Sequence, residues 1–376
     1  MLHADSRITE SERKRPRNDL VVLGCSFAAL EFLYRRVRHY GRFTPGACTV
    51  VEPAAVHTYL PLAHEVASGV ARAVRNTYDV AAFVASIGAA WCPRAAVAVD
   101  PVRRLVYLDQ NEPIAFSRLI IAVGSVADIP GEIAGWASLF AAKNADDAVR
   151  LHSQLAPRHT VAVVGGGITG VEWAAELARR ARVRLITESD SILASFAPGI
   201  QRHAGRRLAR LGVHITTGQR VGARPDTDFI VWAGGVRANP MLARCGLPLT
   251  DDGHLVVDSR LGVPGHPGIY GIGDAVRPSG DRAIDAIWQG TWLARHLGRE
   301  LDEYRAGRTF FYGISLGPGH SMIVRGRWWA DTPLFVAFRR WLRGAYYARF
   351  TLLRHWQAFK HAFDRRDDLA RGARLR

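Results

Sequence analysis

Gly165, Gly167 and Gly170 stand at the spacing of a dinucleotide-binding turn. The apolar run Val161-Ala-Val-Val164 leads into them, and the stretch behind carries Val171, Trp173, Ala174 and Leu177 on one helical face. A second apolar run, Val183 to Thr187, then delivers Glu188. Strand, glycine turn, helix, strand and acid together form the context in which this fingerprint is informative. Gly165 permits the tight turn, Gly167 lets backbone approach a pyrophosphate, and Gly170 lets the helix pack on the sheet. The helix N-terminus offers free N–H groups and a positive dipole end to phosphates. Glu188 is placed to accept from a ribose 2′-OH and would repel a 2′-phosphate. An ordinary glycine turn is the bland alternative, and the intact flanks weigh against it.

A second unit of the same design opens the chain. Asp19-Leu-Val-Val-Leu-Gly24 reads as a strand, followed by Gly24-Cys-Ser26-Phe-Ala-Ala29 and a helix with Phe27, Leu30, Tyr34 and Val37 on one stripe. Cys48-Thr-Val-Val-Glu52 is a strand ending in an acid. Ala29 is tolerated at the third glycine position. Ser26 at the second puts a Cβ where backbone should meet pyrophosphate, though its hydroxyl could bond a phosphate oxygen. Three further apolar runs end in glycine turns: Leu119–Ser125 with Gly124, Phe229–Gly235, and Ile269–Ala275 with Gly273 and Asp274. Each alone is an ordinary strand and turn. Their order implies two dinucleotides in one α/β chain.

Two such units, with His57-Thr-Tyr-Leu-Pro-Leu-Ala-His-Glu-Val-Ala-Ser-Gly69 and Ala142-Lys-Asn-Ala-Asp-Asp-Ala148 between them, resemble the type II NADH dehydrogenases. These are non-electrogenic NADH:quinone oxidoreductases of the two-dinucleotide-binding flavoprotein fold. The resemblance covers about Leu20 to Leu297. It implies two Rossmann-like domains, with FAD held by Gly24, Ser26, Ala29, Glu52, Gly124 and Asp274. It implies NADH on Gly165, Gly167, Gly170 and Gly235, with Glu188 at the ribose. Glu172 matches an acid that the family places near nicotinamide and flavin, where it could steer the ring or relay a proton. A helix-N-terminal carboxylate without chemistry is the equal alternative. Hydride transfer needs cofactor alignment and exclusion of water rather than an acid–base triad.

The acceptor site departs from the family. Two glutamines one helical turn apart are expected on the helix after Asp274, and the aligned Ala283-Ile-Asp-Ala-Ile-Trp-Gln-Gly290 has Ile284 and Trp288 instead. Ala283, Ala286, Gln289 and Gly290 fit. A quinone is therefore held differently, or the acceptor is another small molecule. Disulfide reductases need paired cysteines, and sulfide:quinone reductases need cysteines near the flavin. Cys25, Cys48, Cys92 and Cys245 have no such spacing. They also give no zinc pattern, so no metal is expected, and buried, reduced thiols in the cytosol are the default.

The C-terminal stretch Leu334 to Phe363 lacks proline. Phe335, Phe338, Leu342, Tyr346, Phe350 and Leu353 step at three- and four-residue spacing, with Trp341 and Trp356 nearby. Arg339, Arg340, Arg343, Arg349, Arg354 and Lys360 are expected to fill the remaining surface. Such an amphipathic arm suits an anionic membrane surface, each basic residue adding roughly 1 kcal/mol. The same face could instead cap the protein's own core or a second copy in a homodimer. No stretch has the ~20 apolar residues of a membrane span, so a peripheral position on the cytoplasmic face is expected.

The 376 residues suffice for two domains. The expected division is a basic tail over 1–18, a discontinuous FAD domain over 19–125 and 255–300, an NADH domain over 126–254, and the C-terminal region 301–376. The net charge of +16 predicts attraction to polyanions without naming one. No nucleic-acid module is recognisable, so nucleic acid is not an expected partner. A non-catalytic, basic binding protein on a decayed flavoprotein scaffold is the rival from another class.

Overall fold

The structure is a computed structural model that describes residues 18–110, 112–277, 282–298, 303–306 and 311–373, with side chains placed to residue 357 in the last helix. The tail over residues 1–17 and the Lys360 side chain lie outside the described residues.

The first sheet has seven strands. Asn18–Leu23, Cys48–Val51, Ala90–Cys92, the end of Ile114–Ile121, and Ile269–Gly271 run parallel, with Leu105–Leu108 and Ala96–Asp100 added antiparallel. Strands buried on both faces read as continuous apolar runs. Val21, Val22, Leu23, Leu119, Ile120 and Ile121 are all fully buried. The Phe27–Tyr40 helix presents Phe27, Leu30, Tyr34 and Val37 to this core. The Arg282–His296 helix lies against it, because Gly290 brings its backbone to the carbonyl of Ala28.

The second sheet is wholly parallel, in the order Leu139–Ala141, Phe229–Trp232, Thr160–Val164, Arg182–Ile186 and His214–Thr216. Two short antiparallel strands, Ser125–Ala127 and Val236–Ala238, link the connections that leave the two units. A three-stranded antiparallel sheet, Tyr312–Ser315, Ser321–Arg325 and Trp328–Asp331, buries Ile314, Met322 and Val324 in the core of the second unit.

The Pro333–Ala373 helix follows. Its facing differs from the sequence expectation. Tyr347 and Phe350 are buried among Phe27, Tyr34, Tyr78 and Phe83, while Phe338 and Leu342 face outward. A ladder of four-residue steps drifts by about 40° per step around a helix of 3.6 residues per turn. Phe338, Leu342, Tyr346 and Phe350 therefore wind from the outer face to the inner one. The arginines are also placed differently. Arg339 bonds Glu172, Arg340 bonds Glu65, and Arg349 pairs with Glu31, which is fully buried. Inward-facing acids capture the cations, and Leu334, Phe338, Trp341, Leu342, Leu352 and Trp356 remain exposed. Among the described residues no helix is long and apolar enough to cross a membrane.

Candidate functional site

The first unit's candidate residues gather at the carboxyl ends of adjacent parallel strands, where ligands bind in open α/β sheets. Gly24 follows the first strand at φ +88°, and a Cβ there would lie 2.4 Å from the Ala122 carbonyl oxygen. Glu52 closes the neighbouring strand, and its two carboxylate oxygens accept from the backbone N–H of Cys25 and of Ala54, at 3.0 and 2.9 Å. Burial raises the Glu52 pKa, and these two N–H donors oppose the rise.

Asp274 stands at the end of the Ile269–Gly271 strand. Its Oδ2 accepts from Ser125 Oγ and from Lys143 Nζ, each at 2.6 Å. Ser125 directly follows Gly124, so the expected Gly124 and Asp274 are brought together. Lys143 was not singled out from the sequence, although it lies in the quoted Ala142–Ala148 segment.

Ser26 uses its hydroxyl within the protein. Ser26 Oγ shares a 3.2 Å hydrogen bond with His57 Nε2, and His57 Nδ1 lies 2.9 Å from the Tyr347 hydroxyl. Burial lowers the His57 pKa to about 4, so the imidazole is neutral. The first turn is thus tied to the C-terminal helix. Ala29 is fully buried in the helix core.

At the second unit, Gly165 has φ +121° and a Cβ would lie 2.3 Å from the Ala233 carbonyl oxygen. Gly170 is tighter still, with the would-be Cβ 1.7 Å from the Gly165 carbonyl oxygen. The space beside Gly167 is open, as a turn that receives a pyrophosphate requires. Gly235 follows the adjacent strand, and Glu188 is exposed one residue beyond the buried Thr187. Gly170→Ala should therefore destabilise the protein by about 1–3 kcal/mol or more through overpacking. A thermal scan with and without NADH checks this, and the variant should also lose NADH-dependent stabilisation.

Glu172, two residues after Gly170 on the same helix, meets the C-terminal helix. It is 7% exposed, and its Oε1 accepts from the Ser315 backbone N–H at 2.9 Å and from Arg339 Nη2 at 2.8 Å. Burial pushes its pKa up to about 7, against the pull of Arg339 and Ser315 and with help from Glu65 and Glu176. His64 Nδ1 is 3.8 Å from Glu172 Oε2. Burial, then the Arg339 and Arg340 charges, hold His64 well below its ordinary pKa. The imidazole is neutral, and the contact is dipolar rather than ionic. Glu176 continues the acid cluster, with its carboxylate reached by Ser315 Oγ at 3.3 Å and Ser68 Oγ at 3.5 Å. It stands four residues after Glu172, so the shared helix face was a usable signal. The partners Ser315 and Arg339 come from distant chain and had none.

On the Arg282–His296 helix, Ala283 and Ile284 are half-buried and Trp288 is exposed. Gln289 was grouped with the acceptor site, but it is buried and turned inward. Its Oε1 accepts from the Gly273 N–H at 2.6 Å, and its amide reaches Asp285 at 3.3 Å. It braces the Gly273–Asp274 turn, which has a backbone donor to satisfy. All four cysteines are free, and Cys25, Cys48 and Cys245 are buried. Burial holds those three thiols well above the ordinary range.

Residues 18–290 match the family described as pyridine nucleotide-disulphide oxidoreductase. The chain belongs to that family. It is similar to a nitric oxide reductase FlRd-NAD(+) reductase of Aeromonas hydrophila, at 28% identity over 77% of this chain and 75% of the relative. It is also similar to the demethylphylloquinone reductase NdbB of Synechocystis sp., at 25% identity over 74% of this chain and 76% of that one. The fold matches NDH2 of Plasmodium falciparum, solved with NADH, at a TM-score of 0.75 and 15% identity, covering 90% of this chain and 97% of the other. The resemblance to type II NADH dehydrogenase-like flavoproteins holds, as does the α/β fold with two dinucleotide units and a C-terminal helix. This family member is an enzyme, an FAD-dependent pyridine nucleotide oxidoreductase, and its cofactors are FAD and NADH. That speaks against a non-catalytic protein on a decayed flavoprotein scaffold.

Proposed function

We propose that this enzyme takes a hydride from NADH and passes the electrons to a quinone drawn from a membrane surface. FAD, when bound, accepts the hydride and delivers electrons to the acceptor. In this reading residues 19–125 and 255–300 hold FAD, and residues 126–254 hold NADH. Gly24, Gly124 and Asp274 border the flavin nucleotide, with Ala29 behind the turn, Ser26 held by His57, and Glu52 at its ribose. Gly165, Gly167, Gly170 and Gly235 border NADH, with Glu188 on the ribose 2′-OH. Lys143 orients Asp274 and offsets its charge.

The observation that carries the quinone reading is the facing of the C-terminal helix. Its inner side reaches the buried Glu172 through Arg339, while its outer side exposes Leu334, Trp341 and Trp356 at 75%, 62% and 61%. A patch of exposed large apolar residues marks an interaction site. An apolar acceptor could pass from a membrane beneath this helix to the cofactor region. Glu172, with a pKa of about 7, exchanges a proton near neutral pH and could pass one to a reduced quinone. One relative points the same way, the Synechocystis protein by the quinone in its name.

A second reading keeps the same donor and cofactor with a different small-molecule acceptor. Ile284 and Trp288 stand where the amides were expected, and Gln289 faces inward. Steady-state NADH oxidation with a panel of quinones separates the two. The quinone reading expects turnover that rises with quinone concentration and falls above pH 7 as Glu172 ionises. Flavin that NADH reduces normally but no quinone reoxidises would favour the second reading.

A further inference from the structure

Ser26 stands where the dinucleotide fingerprint has its second glycine, and its side chain does not do what a serine there ordinarily does. It is the N-cap of the Phe27–Tyr40 helix, in extended backbone geometry, yet its side chain makes no capping bond. An N-cap serine usually accepts from one of the helix's first backbone N–H groups. Asp79 and Asn144 cap their helices in this way, accepting from the N–H of Ala82 and of Asp146. The Ser26 hydroxyl turns instead to His57 Nε2, at 3.2 Å. Ser26 is exposed, whereas His57 is only 6% exposed.

His57 is fixed from several sides. It lies in the Val56–Thr58 strand, which pairs with Thr77–Asp79. The Phe27 ring meets it edge-on, with centroids 4.7 Å apart. Tyr347 of the C-terminal helix brings its hydroxyl to 2.9 Å from Nδ1 and 3.4 Å from the His57 carbonyl oxygen. A neutral imidazole has one donor nitrogen and one acceptor nitrogen, assigned from the partners around it. The single Tyr347 proton goes to the nearer acceptor, Nδ1. Nε2 then carries the ring proton and donates it to Ser26 Oγ. The Ser26 proton is left pointing away from His57, toward the exposed side of the turn.

We propose that His57 is a positioning residue for the FAD pyrophosphate: it draws the Ser26 hydroxyl off the helix N-terminus and aims its proton at a phosphate oxygen. This rests on the assignment of FAD to the Gly24 turn. A capping serine would occupy an N–H group that a pyrophosphate needs at the start of the helix. Held by His57, the hydroxyl leaves those donors open and adds one of its own. Hydrogen bonds to an anionic oxygen are the stronger kind. The side chain that displaces the second glycine becomes a phosphate ligand.

The test is FAD release on dilution of the FAD-loaded protein, followed by flavin fluorescence. The variants are Ser26→Ala, Ser26→Gly, His57→Leu, His57→Gln, and His57→Leu in the Ser26→Gly background. Ser26→Ala and His57→Leu should each weaken FAD binding about tenfold or more. Glutamine can place an amide N–H where Nε2 lies, so His57→Gln should recover most of the affinity. In the Ser26→Gly background His57→Leu should have little further effect, because no hydroxyl remains to be aimed. A His57 that served only to pack the C-terminal helix would weaken FAD binding equally in both backgrounds. The proposal is overturned if Ser26→Ala leaves FAD binding unchanged, if His57→Gln binds as weakly as His57→Leu, or if His57→Leu has the same effect with and without the serine. A wild type that takes up no FAD would overturn the placement of FAD and this proposal with it, whereas those three outcomes overturn the proposal alone.

Discussion

Arg339→Leu should cost about 3–5 kcal/mol near pH 8 and clearly less near pH 6. Arg339 donates to Glu172 Oε1 at 2.8 Å, and both side chains are largely buried. Removing the cation leaves a buried acid without its counter-charge. Arg339 is also the strongest influence holding the Glu172 pKa down to about 7 against the larger effect of burial. Without it the pKa rises further, and below that value the acid escapes its penalty by taking up a proton. Between about 7 and the raised value the wild-type acid is ionised while that of the variant keeps its proton, so the cost grows by roughly 1.4 kcal/mol per pH unit there and levels off above it.

The wild type carries the same sign. Glu172 has a raised folded pKa, so its stabilising contribution is complete below the ordinary carboxylate range, near pH ~4.3, and is lost as pH rises through about 7. Denaturant unfolding at pH 6 and pH 8 measures both effects, and proteolysis near Pro333 reports undocking of the helix. Glu172→Gln should flatten the pH dependence. An equal cost of Arg339→Leu at both pH values would show that Glu172 does not respond to Arg339.

The second large effect is expected at the helix's outer face. Replacing Leu334, Phe338, Trp341 and Leu342 with serine should weaken partition onto phospholipid vesicles by two orders of magnitude or more. Each of these residues is at least 40% exposed, and each buried in lipid contributes roughly 1–2 kcal/mol. Because none is buried in the protein, the unfolding midpoint should stay close to that of wild type. Arg339, Arg340 and Arg349 are engaged with Glu172, Glu65 and Glu31. Salt should therefore weaken vesicle binding less than the residue count on this helix implies. Unchanged flotation of the four-residue variant would remove the membrane from the account, and unchanged quinone turnover with it would remove the proposed access route.

The two glycine turns were legible because their signal is local. A β-branched run, a required glycine and a buried helical stripe all fall within about thirty residues. Gly165 and Gly170 meet the sequence expectation with backbone contacts that no side chain could replace. The C-terminal helix was legible as a helix but not in its orientation. Its apolar ladder drifts around the axis, and its arginines answer acids far away in the chain, as Arg339 does with Glu172. The inward contact of Gln289 was not legible for a related reason. Spacing alone showed which residues share its helix face, but the demand of the Gly273 N–H decides where its side chain goes. The same holds for Lys143 with Asp274 and for Ser26 with His57, pairs set by how the strand ends meet.

Electron flow from NADH through FAD to a quinone is read from the absorbance spectrum of the purified, FAD-reconstituted protein under anaerobic conditions, before and after NADH and again after a quinone. The expected result is a flavin band that bleaches with about one equivalent of NADH and returns when the quinone is added. A flavin band that NADH leaves unchanged, or a protein that takes up no FAD, would contradict it.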